Sequence, residues 1–153
     1  MIGESKSVGA VHFDAVGDGP ERPHFEAKKT ELGIPNFHFL GNRLDIPAIM
    51  RRITINVLAT RNEGLSIMLL EAMTADSACI ASDIPGNCFA LDGGNSGTLV
   101  QGHKPTALAA AIERLLVDQA ARQELIKGAS ERSKYFASER MATDYIDLYI
   151  QLL

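Results

Sequence analysis

The stretch ITINVLATRNEGLSIMLLEAMTADSACIAS, residues 53–82, decides how this chain is read. Residues 53–58 (ITINVL) are β-branched and apolar, the composition of a strand. Residues 65–75 (LSIMLLEAMTA) are strong helix formers, and residues 78–82 (ACIAS) are a second short apolar run. Strand, helix and strand in that order form a βαβ unit with parallel strands. Working outward, residues 10–16 (AVHFDAV), 37–40 (FHFL) and 98–100 (TLV) read as three more strands. Residues 21–32 and 46–52 read as helices, the first closed by Gly33, the second with Pro47 in its first turn. Residues 84–96 read as a loop with at most one helical turn, being rich in Pro, Gly and Asn.

After the last strand come three helical stretches. Residues 106–117 carry the stripe Leu108, Ala111, Ile112, Leu115, Leu116; residues 119–134 are weaker; residues 138–153 carry Met141, Tyr145, Leu148, Tyr149 and Leu152 on one side. The fold class is therefore α/β: a Rossmann-like, three-layer parallel sheet of about five strands with C-terminal helices. Residues 1–9 are a polar lead-in, and residues 10–153 read as one domain.

Composition narrows the function classes. The 153 residues are 46% hydrophobic, 22% charged and 6% aromatic, an ordinary globular balance. The net charge is −4, with 15 basic and 19 acidic residues, and this argues against a nucleic-acid partner. Two cysteines without a secretory signal point to a reduced cytoplasmic setting. No apolar run approaches the ~20 residues that span a membrane. The histidines (His12, His24, His38, His103) are dispersed and no Cys-x-x-Cys occurs, so no metal site is expected. Ser66 lies outside any Gly-x-Ser-x-Gly elbow. Cys79 reads as a core residue and Cys88 as a loop thiol.

In parallel α/β sheets, ligands bind beyond the carboxyl ends of the strands. The residues there are Gly17-Asp18-Gly19-Pro20, Gly41-Asn42-Arg43 and Thr60-Arg61-Asn62-Glu63-Gly64-Leu65-Ser66. Gly17 and Gly19 either make a tight turn or let backbone approach a ligand. Glu63 stands at a helix start, where a partial positive charge and free N–H groups suit anions and sugar hydroxyls. Glu71, eight residues on, has apolar neighbours on both sides and is expected to be at least half buried. Such a carboxylate needs donors, and vicinal hydroxyls would serve. A helix-start charge and an ion-paired surface residue are the plainer readings of the two. Arg43, Arg51 and Arg52 form a basic group that is either a solvated face or a phosphate contact.

Six fragments in order give a resemblance: AVGDGPER (15–22), ELGIPNFHFLG (31–41), NEGLSIMLLEAM (62–73), IASDIPG (80–86), GTLV (97–100) and FASERMATDYIDLYIQLL (136–153). Together they resemble the C-terminal, donor-binding domain of GT-B retaining glycosyltransferases of family 4, also called glycosyl transferases group 1. The most specific element is Glu63-x7-Glu71 with Gly64-Leu65 and Leu70-Glu71-Ala72-Met73. The resemblance implies a nucleotide-sugar site. Glu63 would sit by the transferred sugar as the catalytic residue, and Glu71 would accept from the ribose hydroxyls. Gly64, Leu65 and Ser66 would cradle sugar and diphosphate. Gly17, Gly19, Gly41 and Arg43 would be further substrate contacts, and no metal is expected.

Three departures accompany the resemblance. Asp76 and Ala78 stand where the family has Gly and Pro, and Phe89 stands where a Gly-Gly-x-x-Glu loop has its glutamate. The family's first strand, with its Arg and Lys diphosphate clamp, and its N-terminal acceptor domain have no counterpart here. The remaining five strands are then expected to close into one sheet, with residues 10–16 beside residues 53–58. The implied function is donor binding in a UDP-sugar enzyme that moves a hexose or N-acetylhexosamine to a glycan or lipid-linked acceptor. Surface polysaccharide synthesis (O-antigen or capsule) is the implied setting, in the cytoplasm or at the inner face of the membrane. The 153 residues alone are not expected to turn over. Alternatives are a non-catalytic nucleotide-sugar-binding or interaction domain and an unrelated flavodoxin-like domain, although Asp18 alone does not make a receiver's acidic cluster.

Overall fold

The computed structural model describes residues 11–101 and 104–152. Residues 1–9 and His103 lie outside that range. Five parallel strands alternate with helices, and three helices end the chain, so the α/β class holds. The chain divides into two compact units, Met1–Ile46 and Pro47–Leu153.

In the first unit, β1 (Phe13–Val16), α1 (Arg22–Glu31) and β2 (Phe37–Gly41) form a parallel βαβ turn. Phe13 pairs with Phe37, and their rings stack 6.2 Å apart. Helix α1 ends where the sequence says: Gly33 takes φ +61 and its N–H returns to the Thr30 carbonyl. Among the described residues of this unit, only Gly41 is buried.

The second unit holds the core. Its sheet has the order β3 (Ile55–Leu58), β4 (Ala78–Ser82), β5 (Thr98–Val100), all parallel. Every residue of β4 is buried, as expected of a central parallel strand covered on both faces. Leu115 of α5 (Pro105–Val117) packs with Ala78, Ile80 and Val100. Ile55, Leu108, Ile112, Leu125 and Ile126 close round them, the last two from α6 (Gln119–Ser133). Asp118 caps α6 by accepting from the Ala121 N–H at 2.9 Å. The stripe on α7 (Ser138–Gln151) and its cap is open among the described residues: Met141, Tyr145, Leu148, Tyr149 and Leu152 are all exposed. Among the described residues, no helix is long and apolar enough to cross a membrane.

Two expectations need correction. The five strands do not close into one sheet: among the described residues β1 pairs with β2, and β3, β4 and β5 form a separate sheet. A strand inside a parallel sheet is apolar on both faces. β1 reads FDAV, with Asp14 mid-strand and three of four residues exposed, so it lacks the surface for a central place. The stretch 84–96 is also more ordered than its composition suggests. It holds helix α4 (Pro85–Ala90) and a 3-10 turn, Asp92–Gly94. Ile84 is extended and Pro85 starts the helix, while Gly86, Asn87 and Ala90 turn inward. Burial of that face overrides the loop-like composition.

The departures at Asp76 and Ala78 have structural content. Asp76 has φ +54, the left-handed region that glycine enters without cost. Ala78 donates its N–H to the Thr54 carbonyl at 3.2 Å, a bond proline could not make. Asp76→Gly is therefore expected to raise the thermal midpoint by about 1–4 °C, from roughly 0.5–1 kcal/mol of relieved strain. Asp76→Val is expected to lower it. Paired thermal melts check both, and an unchanged midpoint in both would remove strain at Asp76 from the account.

Candidate functional site

The site candidate in the second unit starts where β3 ends. The chain leaves Leu58, bends through Thr60, whose hydroxyl donates to the Asn62 carbonyl at 3.3 Å, and reaches Glu63 and Gly64. Ser66 ends the loop and caps helix α3 (Ile67–Met73), its buried hydroxyl accepting from the Leu69 N–H at 3.4 Å. The helix is shorter than the 65–75 read from propensity, because Leu65 and Ser66 are spent on the entry to it.

What holds the Glu63 loop is Gly86, a contact the sequence did not announce. A Cβ built on Gly86 would overlap the Gly64 carbonyl oxygen and lie 2.5 Å from that of Glu63. The first turn of α4 is thus pressed directly against two consecutive carbonyls, and only glycine leaves room. The next residue, Asn87, is fully buried and donates its Nδ2 to the Ser82 carbonyl at 2.9 Å, tying α4 to the end of β4. Its Oδ1 has no hydrogen-bond partner among the described residues. The fragment IPG (84–86) carried the signal for Gly86, but packing between a helix and a distant loop has no local signature.

Glu71 requires a correction: it is exposed. The buried stripe of α3 runs through Leu69, Ala72 and Met73, and Glu71 lies off it. Its apolar neighbours misled, since Ile67 is itself 73% exposed. Glu71 lines a cavity of about 180 Å³ with Pro47, Met50, Arg51, Thr74 and Ala75. Among the described residues, neither Glu71 nor Arg51 has a side-chain hydrogen bond or ion pair. Glu63 is half-buried, and its carboxylate is equally unpaired among those residues.

The sequence-predicted residues of the first unit are Gly17, Gly19, Gly41 and Arg43. Gly17 (φ +120) donates its N–H to the Gly41 carbonyl at 2.9 Å, so these two are brought together. Gly41 (φ +66) is buried under Arg22, whose Nη1 would lie 3.3 Å from a Cβ there. Gly19 donates to Asp18 Oδ1 at 2.8 Å, and Arg22 spans Asp18 (3.1 Å) and Glu26 (2.8 Å). Arg43 forks onto Asp45 at 2.8 and 2.7 Å. That hydrogen-bonded pairing raises the Arg43 pKa and lowers that of Asp45. Any phosphate at Arg43 must therefore compete with Asp45.

The thiols are poor nucleophiles. Burial pushes Cys79 up to about 12, and the hydrogen bond from Cys88 Sγ to Asp83 Oδ1, 2.8 Å, raises Cys88 as well. Among the described residues, no three His, Cys, Asp or Glu are grouped to hold a metal ion.

Known proteins share this fold. Sucrose-phosphate synthase from Thermosynechococcus elongatus superposes with a TM-score of 0.81 at 28% identity, over 91% of this chain and 38% of that one. HepE from Anabaena, solved in complex with UDP, shares the fold with a TM-score of 0.83 at 22% identity, over 94% and 41%. The family described as glycosyl transferases group 1 matches residues 2–118, and the chain belongs to it. D-inositol 3-phosphate glycosyltransferase of Salinispora tropica is 33% identical over 87% of this chain. The lipopolysaccharide core biosynthesis glycosyltransferase LpsD of Rhizobium meliloti is 31% identical over 97% of it. The chain spans 28% and 44% of the lengths of those two relatives.

Proposed function

We propose that this chain is the nucleotide-sugar-binding part of a retaining glycosyltransferase that takes a hexose or N-acetylhexosamine from a UDP-sugar. The observation that carries the reading is Glu71, a carboxylate with no partner among the described residues, on the wall of a cavity and one helix from a loop seated on Gly86. An ionised carboxylate only accepts hydrogen bonds, and the paired hydroxyls of a ribose supply two donors to it. Glu63 is the catalytic residue of the reading, beside the transferred sugar, with Gly64, Leu65 and Ser66 lining its approach. In the first unit, Gly17, Gly19, Gly41 and Arg43 are the substrate contacts of the same reading. The names of relatives support it: a lipopolysaccharide core enzyme, and a Campylobacter jejuni transferase named for a diphospho-undecaprenol acceptor and N-acetylgalactosamine. HepE, solved with UDP, supports the nucleotide.

From these follow the rest of the proposal: a glycan or lipid-linked saccharide acceptor, an N-terminal acceptor domain as partner, surface polysaccharide synthesis, and work in the cytoplasm or at the membrane's inner face. Helix dipoles and basic groups stabilise the leaving diphosphate, and no metal takes part. A non-catalytic nucleotide-sugar-binding domain is favoured by one observation, the occupation of Arg43 by Asp45.

Calorimetric titration with UDP tests the reading. Glu71→Ala is expected to weaken UDP by about 1–3 kcal/mol, roughly 5- to 150-fold. UDP affinity is expected to survive EDTA. Absence of binding by the unsubstituted chain at millimolar UDP would overturn the proposal.

A further inference from the structure

Phe89 occupies the last turn of α4 and is 52% exposed. It is nevertheless fixed. Its carbonyl accepts from Arg132 Nη2 at 2.8 Å, and the Arg132 guanidinium lies 5.4 Å from the ring centroid. The same guanidinium lies over Tyr135 (4.5 Å) and Phe136 (5.1 Å), and both rings meet Phe89 edge to face at 6.2 and 5.8 Å. One side of the phenyl ring is thus clamped by three side chains while the rest of it faces outward. At the other end of α4, Gly86 touches the carbonyls of Glu63 and Gly64. Phe89 follows Gly86 by three residues, about 4.5 Å along the axis and about 60° round it. The held, open ring therefore belongs to a residue less than one turn of α4 from the contact with the Glu63 loop.

We infer that Phe89 determines sugar specificity: a donor whose sugar carries a methyl group, acetamido or deoxy, packs that methyl against the ring. The inference rests on the reading of Glu63 as the residue beside the transferred sugar. A phenyl ring offers no hydrogen bond. A sugar hydroxyl held against it loses its water partners without replacement, whereas a methyl gains by leaving water. Discrimination over a single apolar group spans about 10- to 200-fold in enclosed pockets. Half-exposure of Phe89 places this case at or below the low end, about 5- to 10-fold.

The test is calorimetry on this chain with UDP, UDP-glucose, UDP-N-acetylglucosamine and UDP-6-deoxyglucose. A methyl-bearing donor is expected to bind about 5- to 10-fold tighter than UDP-glucose. Which of the two does so separates the acetamido from the deoxy methyl. Phe89→Ala is expected to erase that difference while leaving UDP affinity within about twofold, and Phe89→Leu to keep most of it. Equal binding of all three donors by the unsubstituted chain overturns the inference and needs no variant; so does a preference that survives Phe89→Ala. Binding of UDP without sugar preference removes only this inference. Failure to bind UDP at all removes the proposed function and this inference with it.

Discussion

Gly86→Ala is expected to destabilise the protein by about 1–3 kcal/mol and to weaken UDP-sugars more than UDP. The sign is the informative part. Gly86 lies in a helix without a positive φ, where alanine normally adds about 0.5–1 kcal/mol through helix propensity and a less free unfolded chain. Against that stands one methyl group 2.5 Å from the Glu63 carbonyl oxygen and overlapping that of Gly64. These are backbone atoms of a loop anchored by β3 on one side and by the Ser66 cap on the other. Relief requires moving α4 or the loop, and α4 is pinned by Asn87 on Ser82 and by Arg132 on the Phe89 carbonyl. The loop is then the part that yields, and it carries Glu63. Gly19→Ala, with open space around the new Cβ, is the control and is expected to stay within about 0.5 kcal/mol. A higher melting midpoint for Gly86→Ala would show that α4 does not bear on the Glu63 loop.

Much of this was readable from residue patterns. The βαβ alternation was legible because periodicity is a local signal: the β-branched run at 53–58 is β3 in its later part, and the all-apolar run at 78–82 is β4, buried throughout. The cap at Gly33 follows from the backbone freedom of a single residue. What could not be read depends on distant partners. Glu71 looked buried because its chain neighbours are apolar, but a seven-residue helix buries one stripe and leaves Ile67 and Glu71 outside. Arg43 looked available for phosphate, and Asp45, two residues on, already holds it. Helix α4 was hidden by its own glycine and asparagine, residues that usually mark loops and here are required by contact and burial. Asp76 shows the converse: a departure in sequence from the family pattern's glycine that nevertheless takes a positive φ, the conformation glycine adopts most freely.

Leu115→Ala carries the largest expected loss of stability, about 2–5 kcal/mol, read as a fall in the denaturant midpoint. Leu115 is fully buried, and it reaches β4, which is buried along its whole length, against Ala78 and Ile80. Those partners are small or already in contact with α6 residues, so the vacated volume has few side chains able to collapse into it. Among the described residues, the buried hydrophobic residues all fall between Met50 and Ala129. A domain's total stability is about 5–15 kcal/mol, so this substitution removes a large fraction of it. Val117→Ala, on the same helix but 73% exposed, is expected to change stability by less than about 0.5 kcal/mol. The cluster around Leu115 contains none of Glu63–Ser66, Glu71 or Phe89. Leu115→Ala protein that remains folded is therefore expected to bind UDP and to rank UDP-sugars as the unsubstituted chain does. Saturating UDP, at about 100 times its dissociation constant, is expected to return about 2.7 kcal/mol to it. A changed ranking would mean that the core and the Glu63 loop move as one body, and the separation of stability from specificity drawn between Leu115 and Phe89 would fall.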